Sequence, residues 1–147
     1  MASRVQREDF DVGAELAALT AGRTDVGAVV SFTGLVRDQT GALVALELEH
    51  YPGMTEKALE AIEEQARERW PLQACLIVHR YGAMAPGERI MMVATASAHR
   101  TAAFEAAEFL MDYLKSQAPF WKRENGAGGN AWVAATDEDE AALERWR

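Results

Sequence analysis

The chain has 147 residues and a mass of 16.1 kDa, a size at which one domain is the usual organisation. Hydrophobic residues make up 49% and charged residues 26%, which excludes a disordered chain and a fibrous repeat. The formal net charge of −8 argues against a protein that binds nucleic acid or an anionic membrane, because such proteins present a basic face.

Cysteine content and hydropathy indicate a compartment. Cys75 is the single cysteine, so an internal disulfide is excluded and a reducing environment fits best. The N-terminal segment lacks the apolar core of a secretory signal, and no apolar run approaches the roughly 18 residues of a membrane span. No linker or repeat divides the sequence. We therefore expect one cytoplasmic domain over residues 1–147.

The first third of the chain predicts a helix and two strands. Helical spacing over Val12–Thr20, followed by Gly22, predicts a short helix with a glycine cap. β-branched and aromatic residues over Val26–Val36 predict a strand. Turn residues over Asp38–Gly41 and alternating polarity over Leu43–Tyr51 predict a second strand. The two strands are expected to pair as a half-buried hairpin.

A helix and two further strands are predicted in the middle of the chain. Thr55 is the predicted N-cap of a helix that runs to about Trp70, with Glu63 among its outward acidic residues. The segments Cys75–Tyr81 and Arg89–Ala98 read as strands on either side of a Pro-Gly turn.

The last third predicts a long helix over His99–Ala118, ended by a proline. Phe120–Glu124 is predicted to leave the helix, and the glycines of Gly126–Gly129 to form a mobile loop. Ala131–Ala135 predicts a short strand, and Thr136–Trp146 a capped acidic helix. The sum is an α+β domain with a mostly antiparallel or mixed sheet.

A candidate anion site lies where the fourth predicted strand meets the long helix. Ser97 as N-cap would place His99 and Arg100 in the first turn, where free N–H groups, the helix dipole and a guanidinium converge. The alternatives are that Arg100 is a solvated surface residue, and that His99 caps the helix or acts as a general acid or base.

The lysines are a second candidate feature. Twelve of the fifteen basic residues are arginines, and two of the three lysines, Lys115 and Lys122, lie seven positions apart. Lysine differs from arginine because burial or a neighbouring cation lowers its pKa into the range of a base or nucleophile. The alternatives are an ion pair of Lys115 with Asp112 and an exposed loop charge at Lys122.

Other motifs are weaker. Arg37 directly follows the strand predicted over Val26–Val36, which has Gly34 near its end. Its guanidinium suits a phosphate, although turn chemistry explains the same residues. His50 and His79 have no partners at metal-ligand spacing. Cys75 sits in an apolar run, which favours a core residue over a reactive thiolate. We expect neither a metal site nor a resident cofactor.

Five blocks together carry a resemblance to a known family. They are Phe32-Thr33-Gly34-Leu35-Val36-Arg37, Leu48-Glu49-His50-Tyr51-Pro52-Gly53-Met54, His79-Arg80-Tyr81-Gly82 with Pro86-Gly87-Glu88, Ser97-Ala98-His99-Arg100 with Ala103-Phe104-Glu105, and Lys115 through Glu124. In order and spacing they resemble the large, catalytic subunit of molybdopterin synthase.

The resemblance implies a hammerhead-like α/β fold and a sulfurtransferase of molybdenum cofactor biosynthesis. Such an enzyme converts cyclic pyranopterin monophosphate (precursor Z) into molybdopterin. The sulfur comes from the C-terminal Gly-Gly thiocarboxylate of a small ubiquitin-like subunit. The resemblance also implies a large-subunit homodimer as the core of a heterotetramer.

The resemblance further implies the site residues. Lys115 is the expected catalytic amine and Lys122 its assistant. The expected substrate-binding residues are Leu35, Val36, Arg37, His99, Arg100, Lys115, Lys122, Arg123 and Glu124. Leu35 departs from the family, which often has lysine there, so only a backbone role is expected of it.

A distance argument adds a dimer hypothesis. Lys115 follows Arg100 by fifteen residues, or about 22 Å along one straight helix. A pterin monophosphate cannot bridge that gap. A complete pocket would therefore take Lys115, Lys122 and Arg37 from one chain and His99 and Arg100 from a second, across a symmetric dimer.

Two other functions are compatible with the same residues. A non-catalytic module would use the basic residues to dock a phosphate ligand or the acidic tail of a partner. A sulfurtransferase that carries its own persulfide would need Cys75 to be reactive and exposed.

Overall fold

The structure, a computed structural model, describes residues 3–38, 41–126, 129–133 and 137–146. The elements in chain order are β1 (Arg4–Gln6), α1 (Val12–Thr20), β2 (Ala28–Leu35), β3 (Leu43–His50), α2 (Met54–Arg69), β4 (Leu72–Arg80), β5 (Gly82–Met84), β6 (Arg89–Ser97), α3 (Arg100–Gln117), β7 (Phe120–Gly126), β8 (Gly129–Val133) and α4 (Asp137–Glu144). None of these helices combines the length and apolar character needed to cross a bilayer, as judged over the described residues.

The strands form two four-stranded sheets. The first sheet has the order β1-β4-β6-β2 and is mixed, because β1 runs parallel to β4 while the other pairs are antiparallel. The second sheet has the order β5-β3-β7-β8 and is antiparallel throughout. The predicted α+β class with mixed and antiparallel sheets is confirmed.

The hydrophobic core lies on both faces of the first sheet. Cys75 and Ile77 of β4 pack with buried residues of α2 and α3, including Phe109. Leu76 and Val78 point to the opposite face and pack with Phe10 below α1, as the alternation of side chains along a strand requires. The core therefore fixes β4 and α3 relative to one another, which positions the end of α3.

The predicted hairpin of β2 and β3 is wrong. β2 pairs with β6 in the first sheet, and β3 lies between β5 and β7 in the second. Between them, Val36 is 4% exposed, donates its N–H to the Glu88 carbonyl at 2.9 Å and accepts the Gly87 N–H at 2.8 Å. These bonds hold the connecting segment against the turn before β6, so the chain changes sheet there.

The second helix begins differently from the prediction. Gly53, with a φ of +86°, is the N-cap, and its N–H donates a hydrogen bond to the Glu56 carboxylate at 2.8 Å. Thr55 is instead fully buried in the first turn. Glu63, predicted to face outward, is 1% exposed because it accepts bonds from Ser3 at 2.9 Å and Arg67 at 3.1 Å.

The third helix and the segment after it also differ. His99 is the N-cap of α3, so Ser97 does not cap it; Ser97 is buried at the end of β6. Phe120–Glu124 is part of β7, because it pairs with β3 on one side and β8 on the other. Gly126 pairs with Gly129 across this hairpin, so both glycines are strand ends rather than parts of a loop.

Several predicted elements are confirmed. Helix α1 spans Val12–Thr20, is capped by Asp11 and is followed by Gly22 at a φ of +74°. The last helix spans Asp137–Glu144 and ends two residues before Trp146, while its predicted cap Thr136 lies outside the described residues.

Candidate active site

The C-terminal end of α3 lies over the end of β4. Leu114 packs in the core with Ile77 and Met91, and Met91 is the β6 partner of His79. Lys115 follows Leu114 in the last turn of the helix and is exposed. The packing of Leu114 thus delivers the Lys115 amine to this end of the first sheet.

Lys115 does not form the predicted alternative ion pair with Asp112. The Asp112 carboxylate accepts bonds from Arg145 at 2.7 Å and from the Trp146 indole N–H. Among the described side chains, neither Lys115 nor Lys122 has a carboxylate within ion-pair distance. The two amines are therefore available to an anionic ligand.

Four aromatic side chains contact one another where the two sheets meet. We name them the ring cluster: His50, His79, Tyr81 and Phe120. His79 and Phe120 are stacked with ring centroids 3.7 Å apart and an interplanar angle of 18°. The centroid of His50 lies 4.4 Å from that of Tyr81 and 6.1 Å from that of Phe120. The cluster joins β4 of the first sheet to β3 and β7 of the second.

Burial keeps His79 neutral. Desolvation by burial is the main cause that lowers the pKa of His79 to about 4, a hydrogen bond to the Arg80 carbonyl opposes it, and the positive charge of Lys115 adds a smaller lowering contribution. His79 Nδ1 donates that bond at 2.8 Å, so its Nε2 carries a lone pair. An uncharged imidazole places no second positive charge next to Lys115.

The orientation of His50 is fixed by Thr55. The Thr55 hydroxyl donates to the Tyr51 carbonyl at 2.8 Å, and its oxygen lies 3.1 Å from His50 Nδ1. Because the hydroxyl proton is already used, Nδ1 is the donor in the second bond. The buried Thr55 of the first helical turn therefore serves the ring cluster rather than the helix end.

Strand β7 separates Lys122 from Arg123. Residues opposite one another in an antiparallel pair share a face, and Lys122 pairs with Leu48, which is buried against Val36. Arg123 pairs with Glu47 and forms an ion pair with its carboxylate. Lys122 thus lies on the inner face with Phe120, two residues earlier, and Arg123 on the outer face.

Glu124 lies on β7 opposite Leu46, and its side chain is outside the described atoms.

The segment Leu35–Arg37 reaches the same end of the molecule. Leu35 is the β2 partner of Arg89 at the start of β6 and is 55% exposed. Val36 is buried with Leu48, and the Arg37 side chain is exposed. The predicted residues Lys115, Lys122 and Arg37 are therefore gathered around one end of the two sheets.

His99 and Arg100 lie at the other end of α3. Both are exposed, and fifteen residues of continuous helix separate Arg100 from Lys115, about 22 Å at 1.5 Å per residue. One chain therefore does not bring these two groups of predicted residues together.

Cys75 is not part of the site. It is 1% exposed in the core, and burial raises the pKa of its thiol to about 12. Over the described part of the chain, no cluster of His, Cys, Asp and Glu has the arrangement of a metal site.

Sequence reasoning missed the ring cluster. His50, His79 and Phe120 fall in the blocks that carry the family resemblance, but the sequence does not indicate that their rings meet. The signal was the placement of each ring at a strand end, since His50, His79 and Phe120 stand at or next to the limits of β3, β4 and β7.

Comparison with known proteins gives consistent matches over the chain. The family model described as MoaE protein matches residues 5–117. A molybdopterin synthase catalytic subunit from Cereibacter sphaeroides is 63% identical over 142 residues, covering 97% of each chain. Another, from Mesorhizobium japonicum, is 62% identical over 146 residues, covering 98% of this chain and 92% of the relative.

A solved structure agrees with the fold. The molybdopterin biosynthesis MoaE protein from Burkholderia ambifaria superposes with a TM-score of 0.85 at 52% identity, covering 99% of this chain and 98% of that one. The family model, the sequence identity and the superposition agree, and the chain belongs to the MoaE family.

Proposed function

We propose that this chain is the catalytic subunit of a molybdopterin synthase. It would act as a sulfurtransferase that converts cyclic pyranopterin monophosphate into molybdopterin, in molybdenum cofactor biosynthesis. The sulfur donor would be the C-terminal Gly-Gly thiocarboxylate of a small ubiquitin-like subunit. The name carried by relatives at 62% and 63% identity supports this function.

One observation carries the proposal at the level of chemistry. Lys122 shares a face of β7 with Phe120 of the ring cluster, and the charge of Lys115 at the end of α3 acts on His79 of the same cluster. Neither lysine has a described carboxylate within ion-pair distance. The cyclic phosphate, the thiocarboxylate and the carboxylate left after sulfur transfer are all anions. Two amines that have no ion-pair partner among the described side chains can stabilise such charges as they develop.

The roles follow from position. Lys115 is the catalytic amine, because it ends α3 near enough to the neutral His79 for its charge to lower the pKa of that histidine. Lys122 assists from the inner face of β7. Both amines also bind the substrate through its anionic groups.

The phosphate would be bound by arginine guanidinium groups and by the N-terminal end of α3. Arg37 approaches from the end of β2, and His99 with Arg100 begins α3, where free N–H groups favour an anion. Because one chain separates these residues by the length of α3, we propose that a homodimer assembles each pocket from two chains. With a small subunit on each large subunit, the assembly is a heterotetramer.

The remaining residues have supporting roles. Leu35 and Val36 contribute their backbone, since Leu35 offers only hydrocarbon and Val36 is buried. Glu124, which shares a face of β7 with Lys122, lines the pocket, and Arg123 supports the strand from its outer face through the ion pair with Glu47. We further propose that residues 1–147 act as one cytoplasmic domain, supported by the packing of Ile90 against the core clusters of both sheets.

The test is reconstitution. The chain is incubated with the pyranopterin and a thiocarboxylated small subunit, and the dithiolene product is measured. Wild type is compared with Lys115→Ala and with the matched control Lys57→Ala. Lys57 is an exposed lysine on α2. We expect product with wild type and Lys57→Ala. Lys115→Ala should lose product while it still binds the small subunit. Loss of binding alone would favour the non-catalytic module.

A further inference from the structure

Arg7 is a cation at the margin of the ring cluster. It follows β1 directly, and its guanidinium carbon lies 4.8 Å from the centroid of the Tyr81 ring. The centroid of Tyr81 lies 4.4 Å from that of His50, so the guanidinium continues the series of ring contacts outward. Arg7 is exposed, and among the described side chains no carboxylate lies within ion-pair distance of it.

Backbone hydrogen bonds and a glycine hold Arg7 in this position. The Arg7 carbonyl accepts a hydrogen bond from Arg80 Nε at 2.9 Å, and the Tyr81 N–H donates to the Gln6 carbonyl at 3.1 Å. A Cβ on Gly82 would lie 2.9 Å from Arg7 Nη1. The guanidinium therefore occupies space that a side chain at position 82 would fill.

The pairing of β5, β3 and β7 relates Arg7 to Lys122. Gly82 pairs with Leu48, and Leu48 pairs with Lys122, so the three residues form one row across the second sheet. Because neighbouring strands lie about 4.8 Å apart, the Cα atoms of Gly82 and Lys122 are about 10 Å apart. The Arg7 guanidinium thus lies at one end of this row, and Lys122 lies at the other.

Arg7 and Arg37 lie at the same end of the first sheet, on its two opposite edges. β1 and β2 are the edge strands of this sheet. β1 runs parallel to β4, and β2 is antiparallel to β6, which is antiparallel to β4. Both edge strands therefore end where β4 ends, near the last turn of α3. The proposed function places the phosphate of the pyranopterin at the Arg37 edge, which leaves the Arg7 edge for the second anionic reactant.

We propose that Arg7 binds the C-terminal tail of the small subunit, at a main-chain carbonyl about three residues before the thiocarboxylate. An extended chain rises about 3.3 Å per residue, so a terminus held at Lys122 reaches Arg7 three residues earlier, about 10 Å away. A Gly-Gly tail has no side chains at its last two positions, so main-chain carbonyls are the acceptors that it offers. A guanidinium stacked on a ring keeps its N–H donors in its plane for such an acceptor. The inference rests on the proposed function, because it specifies how the sulfur donor of that site is held.

The first test measures the affinity of the full chain for the small subunit by isothermal titration calorimetry. Arg7→Ala should raise the dissociation constant about tenfold, the typical cost of losing one hydrogen bond from a charged group. Arg7→Gln, which keeps a polar side chain without the charge, should weaken binding to a similar extent. The control Arg23→Ala should bind as wild type does, because Arg23 is an exposed arginine near Gln73, at the opposite end of β4.

A small subunit that lacks its last four residues separates the tail from the body of this partner. With the shortened partner, wild type and Arg7→Ala should bind equally, because the contact of Arg7 is absent from both complexes. Wild-type affinity of either folded Arg7 variant for the complete small subunit would overturn the inference. A weakening that persists with the shortened partner would also overturn it, because Arg7 would then contact the body of the small subunit.

The second test assigns the contact to one reactant. In steady-state turnover, Arg7→Ala should raise the KM for the thiocarboxylated small subunit about tenfold and leave the KM for the pyranopterin unchanged. A raised KM for the pyranopterin would assign Arg7 to that substrate and overturn the inference. Failure of the proposed function is distinct, since wild type would then form no dithiolene product, whereas the affinities are measured without turnover.

Discussion

His79 and Phe120 lie face to face, with ring centroids 3.7 Å apart, although they belong to strands of different sheets. The stack is the point at which β4 and β7 meet. It also holds a histidine that is neutral near pH 7, since burial lowers its pKa to about 4.

The lowered pKa of His79 predicts a pH dependence of stability. The folded protein disfavours the protonated imidazole, whereas the unfolded chain binds the proton readily. The contribution of neutral His79 to the free energy of unfolding is therefore fully present above about pH 6.5 and is lost as the pH falls toward 4. The loss is at most roughly 1.4 kcal/mol per pH unit. Denaturant unfolding of wild type and His79→Asn across this window should give a steeper pH slope for wild type. Parallel slopes would show that another group is responsible.

Lys122 is predicted to act on the reaction rather than on the fold. Its side chain lies on the inner face of β7, so Lys122→Ala should lower the rate of product formation by about 10²- to 10³-fold, the typical cost of losing one positioned cationic donor. The control is again Lys57→Ala. An unchanged rate for Lys122→Ala, measured in single turnover with thiocarboxylated small subunit, would contradict the assigned role.

A shared pocket predicts rescue between two inactive variants. When Lys115→Ala and Arg100→Ala chains are refolded together in equal amounts, half of the dimers are mixed, and each mixed dimer has one intact pocket. Activity should therefore recover to about a quarter of the wild-type value. Each variant refolded alone provides the baseline. No recovery above it, with mixed dimers confirmed by mass, would count against a pocket built from two chains.

Cys75 is predicted to be dispensable for catalysis. Its thiol is buried in the core, and burial raises its pKa to about 12, which disfavours the nucleophilic thiolate. Cys75→Ala should retain nearly full turnover with thiocarboxylated small subunit and lose about 1 kcal/mol of stability from the small cavity. A folded but inactive Cys75→Ala protein would instead favour a persulfide on this residue.

Local features of the fold were predictable from sequence. Helix α1 spans the predicted Val12–Thr20, because its Asp11 cap, its spacing and Gly22 are all local signals. The partner of β2 was not predictable in the same way. Its register with β6 is set by contacts far away in sequence, such as the bond of Val36 to Glu88.

Long-range contacts also explain why a residue is buried where the sequence pattern predicts exposure. Glu63 reads as one of several outward glutamates of α2, yet it is buried because Ser3 and Arg67 supply donors. For the site, the sequence indicates the cationic residues but not the ring cluster beside them. The environment of His79 depends on Phe120 of another sheet, which no local pattern reports.

The opposite orientation of Lys122 and Arg123 makes the alignment of β7 a condition for activity. If β7 slipped by one residue along β3, every side chain of the strand would exchange faces. Arg123 would enter the pocket, and Lys122 would point away from the ring cluster. The ion pair of Arg123 with Glu47 opposes that slip. This salt bridge on the outer face therefore helps to keep Lys122, rather than Arg123, on the inner face of β7.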